Sequence, residues 1–159
     1  MPSAGKSEAK QQVVKFLGSK RLRLTSQRRA IIDSVFDTPE HFTAEQLLVW
    51  ARARDKSVSR ATVYRSLLLL TESGFVREVN FGTDQKYYDS NYADRPSHSH
   101  LICEDCGQII EFDSVELLKL ESEISRQLGF EVKTHRLQLT GSCEEFRKHG
   151  VCAKKKAGA

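Results

Sequence analysis

No stretch of this sequence approaches the ~20 consecutive apolar residues that a membrane-spanning helix needs. Its first residues, MPSAGKSEAKQQVVKF, have neither the apolar core nor the small-residue cleavage pattern of a secretory signal. The expectation is a chain that stays in the cytoplasm. Also missing are a His-Glu-x-x-His sequence, a phosphate-binding glycine loop and a Ser-His-Asp order, so nothing favours catalysis and no enzyme is expected. There is no internal repeat and no low-complexity segment, and a hydrophobic content of 39% over 159 residues suffices for one ordinary core or two small ones. Cysteines are few. In a reducing compartment the four present are poor candidates for disulfides, which leaves metal ligation or redox chemistry.

The net charge of +4 is unevenly spread. Residues 1–36 hold Lys6, Lys10, Lys15, Lys20, Arg21, Arg23, Arg28 and Arg29 against Glu8 and Asp33, so the remainder is mildly acidic. A basic leading segment on an acidic body is the footprint of a nucleic-acid-binding module, with a solvated basic helix face as the plainer alternative. SQRRAIIDSVFD spaces Ile31, Ile32, Val35 and Phe36 as a helix does, and HFTAEQLLVWARA follows with Thr43 and Gln46 as a capping box. SVSRATVYRSLLLLTESG predicts a third helix from about Ser59 to Ser73, stopped at Gly74. Three short helices, the last opening with Arg60, Thr62, Tyr64 and Arg65, suit a helix-turn-helix arrangement. FVREVNF, GTDQ and KYYDS then read as a β-hairpin, the wing of a winged helix. SNYADRPS is polar and aperiodic and reads as a hinge. Beyond it, HLIC and QIIEF predict two strands, and a helix is expected from about Ser114 to Leu128 with Asp113 and Glu116 as a capping pair and Gly129 as its stop. FEVKTHRLQLTG alternates as a long strand does, and the tail after it holds two cysteines and finishes in a basic end expected to fray.

The run His98-Ser99-His100-Leu101-Ile102-Cys103-Glu104-Asp105-Cys106-Gly107 carries the most chemistry. A Cys-x-x-Cys turn sets two thiolates at the separation tetrahedral zinc requires, and Cys143 and Cys152 are the candidates to complete a Cys₄ site. The wide gap between those two leaves His149 or water as an alternative fourth ligand. A thioredoxin-like pair would open a helix in a βαβ unit, whereas this pair lies between strand-like segments. A zinc deaminase would need His-x-Glu and Pro-Cys-x-x-Cys, and both are absent. His98 and His100, two apart in an extended segment, share a face and can chelate one metal, with Asp89 and Glu111 as carboxylates within reach. Two surface histidines without a ligand are the alternative. A sulfur-free nitrogen and oxygen set suits exchangeable iron(II), manganese(II) or zinc.

SRATVYRSL, HSHLICEDCGQIIEF and GFEVKTHRLQLTG with a cysteine after it, in that order and at those distances, resemble the ferric uptake regulator family over roughly residues 10–143. The resemblance implies an α+β protein with a winged-helix DNA-binding domain over residues 1–90, a hinge over 91–97 and an α/β dimerisation and metal-binding domain over 98–159. It implies a homodimer that represses metal-uptake genes, iron foremost, with divalent metal as corepressor. Position by position, the regulatory ligands would be His41, Asp89, His98, His100 and Glu111, meeting where the two domains do. Asp89 stands where iron-responsive members often have Glu. Zinc-responsive relatives place a cysteine before the histidines, and this chain has none there; peroxide-sensing relatives have Asp where this chain has Glu111. A further family site is reduced to His135, with Ser97, Ser99 and Leu118 at its other positions, so His135 is a conditional ligand, with Glu116 or Glu121, or else a structural histidine. The DNA partner would be an A/T-rich palindrome. Tyr64 would pack on thymine methyls, Arg60 and Arg65 would reach phosphate or guanine edges, Arg23 would enter a narrow minor groove, and Arg28 would join from the basic segment. The rival class is a metal-binding protein that does not bind DNA.

Overall fold

The computed structural model describes residues 4–38, 41–82, 84–90, 98–133 and 135–152, and the chain divides into two compact units, Met1–Asp94 and Arg95–Ala159. The hinge expected over residues 91–97 lies outside the described residues.

The first unit opens with α1 (Ala4–Ser19), a helix not anticipated from the sequence, which buries Val13 and Leu17 against the rest. Arg21, with φ 56°, takes a left-handed turn out of it. Next come α2 (Ser26–Asp37), capped by Thr25, α3 (Ala44–Arg54) and α4 (Arg60–Glu72), capped by Ser59. The capping box of α3 forms as expected: the Thr43 hydroxyl accepts from the Gln46 N–H at 3.2 Å, and Gln46 Oε1 accepts from the Thr43 N–H at 2.9 Å. Apolar residues at helical spacing, Ile31, Val35, Leu47, Val63 and Leu67, meet in one core with Phe42 and Tyr88. Gly74, at φ 75°, ends α4 region as its sequence position suggested, because the left-handed conformation costs it no Cβ clash. The hairpin β1 (Arg77–Val79) and β2 (Tyr87–Asp89) pairs antiparallel, Arg77 opposite Asp89. Helices α2–α4 followed by this hairpin form a winged helix.

The second unit is a three-stranded sheet, β3 (Ser99–Cys103) between antiparallel β4 (Ile109–Phe112) and parallel β5 (Gln138–Gly141), with helices α5 (Val115–Leu128) and α6 (Glu144–His149). Two expectations need correction. Ser114 rather than Asp113 caps α5, its hydroxyl accepting from the Leu117 N–H at 3.3 Å. The long strand expected over 130–141 shrinks to β5, since pairing with β3 begins only at Gln138. After β5 the chain continues through the short helix α6 to Cys152, and the basic end expected to fray lies outside the described residues. The apolar side of α5 is not buried: Val115, Leu118, Leu120, Ile124 and Leu128 are all exposed. No described helix is long and apolar enough to cross a membrane.

Candidate functional site

Strand β3 and the residue before it carry two kinds of ligand. His98 and His100 lie on one face, buried, with ring centroids 4.6 Å apart. The antiparallel register sets Glu111 of β4 opposite His100, and Glu111 Oε1 is 4.0 Å from His98 Nε2. One ligand atom from each of these three side chains lies within 4.8 Å of the others. Two imidazoles and a carboxylate in that space are a hard-to-borderline donor set.

At the far end of β3 the chain turns through Gly107, whose N–H donates to the Cys103 carbonyl at 2.9 Å, and this turn presents Cys103 and Cys106 together. Parallel pairing of Cys103 with Gly141 then delivers Cys143, whose N–H donates to Cys103 Sγ at 3.3 Å. Sγ atoms of Cys103, Cys106 and Cys143 fall within 4.8 Å of one another. Cys143 also caps α6, its sulfur accepting from the Phe146 N–H at 3.3 Å. Helix α6 and the left-handed Gly150 turn the chain back, so Cys152 is buried with Cys103 and Cys106 beside half-buried Cys143, while His149 is exposed. The wide gap in sequence is therefore a helical turn in space. Burial raises the cost of a thiolate throughout this cluster. At Cys103 that penalty is outweighed by N–H groups of Cys106 and Cys143, which bring its pKa down to about 7. At Cys106 burial dominates and pushes the thiol up to about 12. Three sulfurs within 4.8 Å of one another, with Cys152 packed against them, form a pocket that a cation would complete.

In the first unit, Phe42 and Tyr88 exchange backbone hydrogen bonds of 3.1 and 2.8 Å, which brings their neighbours His41 and Asp89 together. His41 Nε2 is 3.9 Å from Asp89 Oδ2, and the same oxygen accepts a hydrogen bond from Arg77 Nη2 at 3.2 Å. Asp89 thus sits buried beside a resident cation. Arg77 was not singled out from the sequence; only the hairpin register, unknown until the turn is placed, reveals the pair.

His135 is held by two neighbours within the second unit: Glu121 Oε1 at 2.5 Å from Nδ1 and Ser99 Oγ at 3.4 Å from Nε2. Glu116 does not join them; it accepts from the Ser114 hydroxyl at 2.9 Å. Of the two acids considered for His135, Glu121 is the one the fold delivers.

On the outer face of α4, Tyr64 and Leu68 recur at four-residue spacing and are 48% and 59% exposed. Arg60 and Arg65 flank them, both exposed. Thr62 Oγ1 donates to Gln27 Oε1 at 3.0 Å and so ties the start of α4 to α2. Glu45 of α3 was missed in the sequence: its Oε2 lies 3.3 Å from Arg60 Nη2, and its Oε1 accepts from the Tyr64 hydroxyl at 3.2 Å. Arg23 is exposed, whereas Arg28 is half-buried and donates to the Arg23 carbonyl at 2.6 Å, bracing the turn before α2. Lys10 is held by Asp33 at 3.1 Å and Asp37 at 2.7 Å, so it faces its own fold.

The model of the ferric uptake regulator family matches residues 19–140. The ferric uptake regulation protein of Campylobacter jejuni is 34% identical over 145 residues, which cover 90% of this chain and 87% of that protein. The peroxide operon regulator of Bacillus subtilis is 35% identical over 127 residues, covering 80% and 86%. The solved structure of the ferric uptake regulator of Helicobacter pylori superposes with a TM-score of 0.78 over 89% of this chain and 93% of that one, at 22% identity, a likeness of fold.

Proposed function

The chain belongs to the ferric uptake regulator family of metal-dependent transcriptional repressors, and from that premise we propose how its two ligand clusters and its α4 surface divide the work. Cys103, Cys106, Cys143 and Cys152 hold a structural zinc. His98, His100 and Glu111, joined by His41 and Asp89 of the first unit, hold an exchangeable regulatory ion, iron(II) foremost and manganese(II) or zinc otherwise. The observation that supports this division is the separation of donor types along one strand, with nitrogen and oxygen at the start of β3 and sulfur at its end. All-thiolate sets lock zinc, while imidazole and carboxylate sets exchange harder divalent ions. If His41 and Asp89 share an ion with His98, His100 and Glu111, the ion would favour a DNA-binding arrangement only through its differential affinity for it.

The chain's own residues do the rest. Exposed cations of the leading segment and α4 give salt-dependent affinity for phosphate. Tyr64, Arg60 and Arg65 read base edges, and Arg23 enters an A/T-rich minor groove. A homodimer, closed over the exposed apolar side of α5, presents two such helices to a palindrome. The domains are read as 1–90, a hinge over 91–97, and 98–159. Control of metal uptake in the cytoplasm follows from the same reading.

The test is operator affinity against free iron(II) or manganese(II) for the wild type and His100→Ala. The wild type should bind weakly without metal and tighten with it, while His100→Ala stays weak and keeps its zinc. Equal curves would remove this cluster as the sensor. A second reading, peroxide response, rests on the similarity to the Bacillus subtilis regulator. It requires the iron-loaded protein to lose operator binding on brief exposure to peroxide while the manganese-loaded protein keeps it.

A further inference from the structure

Both oxygens of one carboxylate are taken up by the surface that would meet DNA. Glu45, in the first turn of α3, accepts from the Tyr64 hydroxyl through Oε1 and pairs with Arg60 through Oε2. Arg60 and Tyr64 are one helical turn apart on the exposed side of α4, so a single side chain braces two of its outward residues. An acid in that place is electrostatically unfavourable for a phosphate-binding face. It repels the backbone of any duplex that approaches, and it cancels the charge that Arg60 would otherwise offer.

We propose that Glu45 is a positioning and specificity-determining residue of the DNA-reading surface. This rests on the reading of α4 as the helix that meets DNA. Non-specific affinity comes almost wholly from cations paired with phosphates, whatever the sequence. With Arg60 paired to Glu45, that affinity is reduced by about one phosphate contact. On the correct site, base-edge contacts from Tyr64 and Arg60 compensate for the lost pairing with Glu45; on a wrong site nothing does. Glu45 therefore weakens wrong complexes more than right ones, and its two bonds hold Tyr64 and Arg60 in place before the duplex arrives. A carboxylate near a helix N-terminus also interacts favourably with the helix dipole. That role alone would stabilise α3 and would leave DNA discrimination untouched.

The experiment uses full-length, zinc-loaded protein with manganese(II) held constant, and an operator selected by the wild type from a random duplex pool. Binding to that operator and to a scrambled duplex of equal length is measured from 50 to 200 mM salt for the wild type, Glu45→Gln and Glu45→Asp. Glu45→Gln keeps the size and hydrogen-bonding capacity and removes the charge. It should bind the scrambled duplex roughly three- to tenfold tighter at low salt, with a log–log salt slope steeper by about 0.9, the signature of one more phosphate contact. Its operator-to-scrambled ratio should fall. Glu45→Asp, which keeps the charge, should return the slope to the wild-type value. A Glu45→Gln protein that melts lower but keeps the wild-type slope and ratio would assign Glu45 to the dipole of α3 and overturn the proposal, as would a slope that Glu45→Asp fails to restore. Tyr64→Ala and Arg65→Ala separate this from the parent reading. If both leave operator binding intact, α4 is not the reading helix; if both weaken it while Glu45→Gln changes neither slope nor ratio, the role of Glu45 alone fails.

Discussion

Removing zinc from the cysteine cluster should unfold the second unit and leave the first folded. The first unit buries a continuous apolar core that runs from Val13 and Leu17 of α1 through Phe42 to Leu70 of α4. Among the described residues of the second, Ile102 is the one buried aliphatic side chain, and the remaining buried apolar groups are Cys103, Cys106 and Cys152. Burying one isoleucine contributes about 1.5–3 kcal/mol. Holding Cys143 against Cys103, 40 residues away in sequence, costs about 3 kcal/mol in loop closure before any intervening backbone is ordered. Those terms nearly cancel, so a cation held by the four cysteines, as proposed above, would supply much of what holds a single copy of this unit together. Structural zinc in small domains contributes on the order of 10–16 kcal/mol at neutral pH, more than any other single interaction here can supply. The assay is hydrogen exchange on the full chain with and without a strong chelator. Amides of β3–β5 and α6 should lose protection, while those of α2–α4 keep it. Cys152→Ser should give the same pattern at milder chelation, because α6 and Gly150 place that sulfur inside the cluster. If the zinc-free second unit stays protected, the cluster is an ornament on a fold that other contacts hold.

Zinc affinity should rise with pH, because the ligands bind as thiolates and Cys106 is held protonated up to about 12 by its burial. Cys103, brought down to about 7, adds one more competing proton only below that pH, so the slope of log affinity against pH should steepen by about one there; a chelator competition series with no break would refute it. Arg77→Ala should tighten the regulatory ion several-fold, since the guanidinium at 3.2 Å now offsets the charge of Asp89; manganese(II) titration by calorimetry reads this directly, and weaker binding would show that Arg77 aligns the carboxylate instead. Leu118→Glu or Ile124→Glu on the exposed side of α5 should shift the dimer toward monomer in sedimentation while zinc content stays unchanged; an intact dimer would move the interface elsewhere.

Features whose physics is local were readable in the chain. The Thr43–Gln46 box, the Gly74 stop and the His-x-His and Cys-x-x-Cys pairs each depend on a few neighbouring residues, and each forms as its spacing suggested. Features that depend on a distant partner were not. Helix α1 has neither an acid in its first turn nor a base in its last, and among its described residues Val13 and Leu17 alone are fully buried, so its sequence reads as a basic segment until the core is beside it. Glu45 and Arg77 act across elements, on Tyr64 and Asp89, and no periodicity links such pairs.

The residues that alternate without forming a strand extend this argument. Phe130 and Val132 keep the period of two that marks a half-buried strand, yet both are exposed and neither lies in β5. Helix α5 likewise has a strong apolar side with none of its residues buried. Alternation and amphipathicity are selected through burial, so a pattern without burial in one chain implies a surface covered in the working assembly. Both patterns fall in the second unit, where the buried apolar set is smaller, and none of comparable extent occurs among the described residues of the winged helix, which has a continuous core of its own. The strand expected over 130–141 was an overreach of the same kind: alternation alone cannot supply a pairing partner, and β3 pairs only from Gln138 to Gly141.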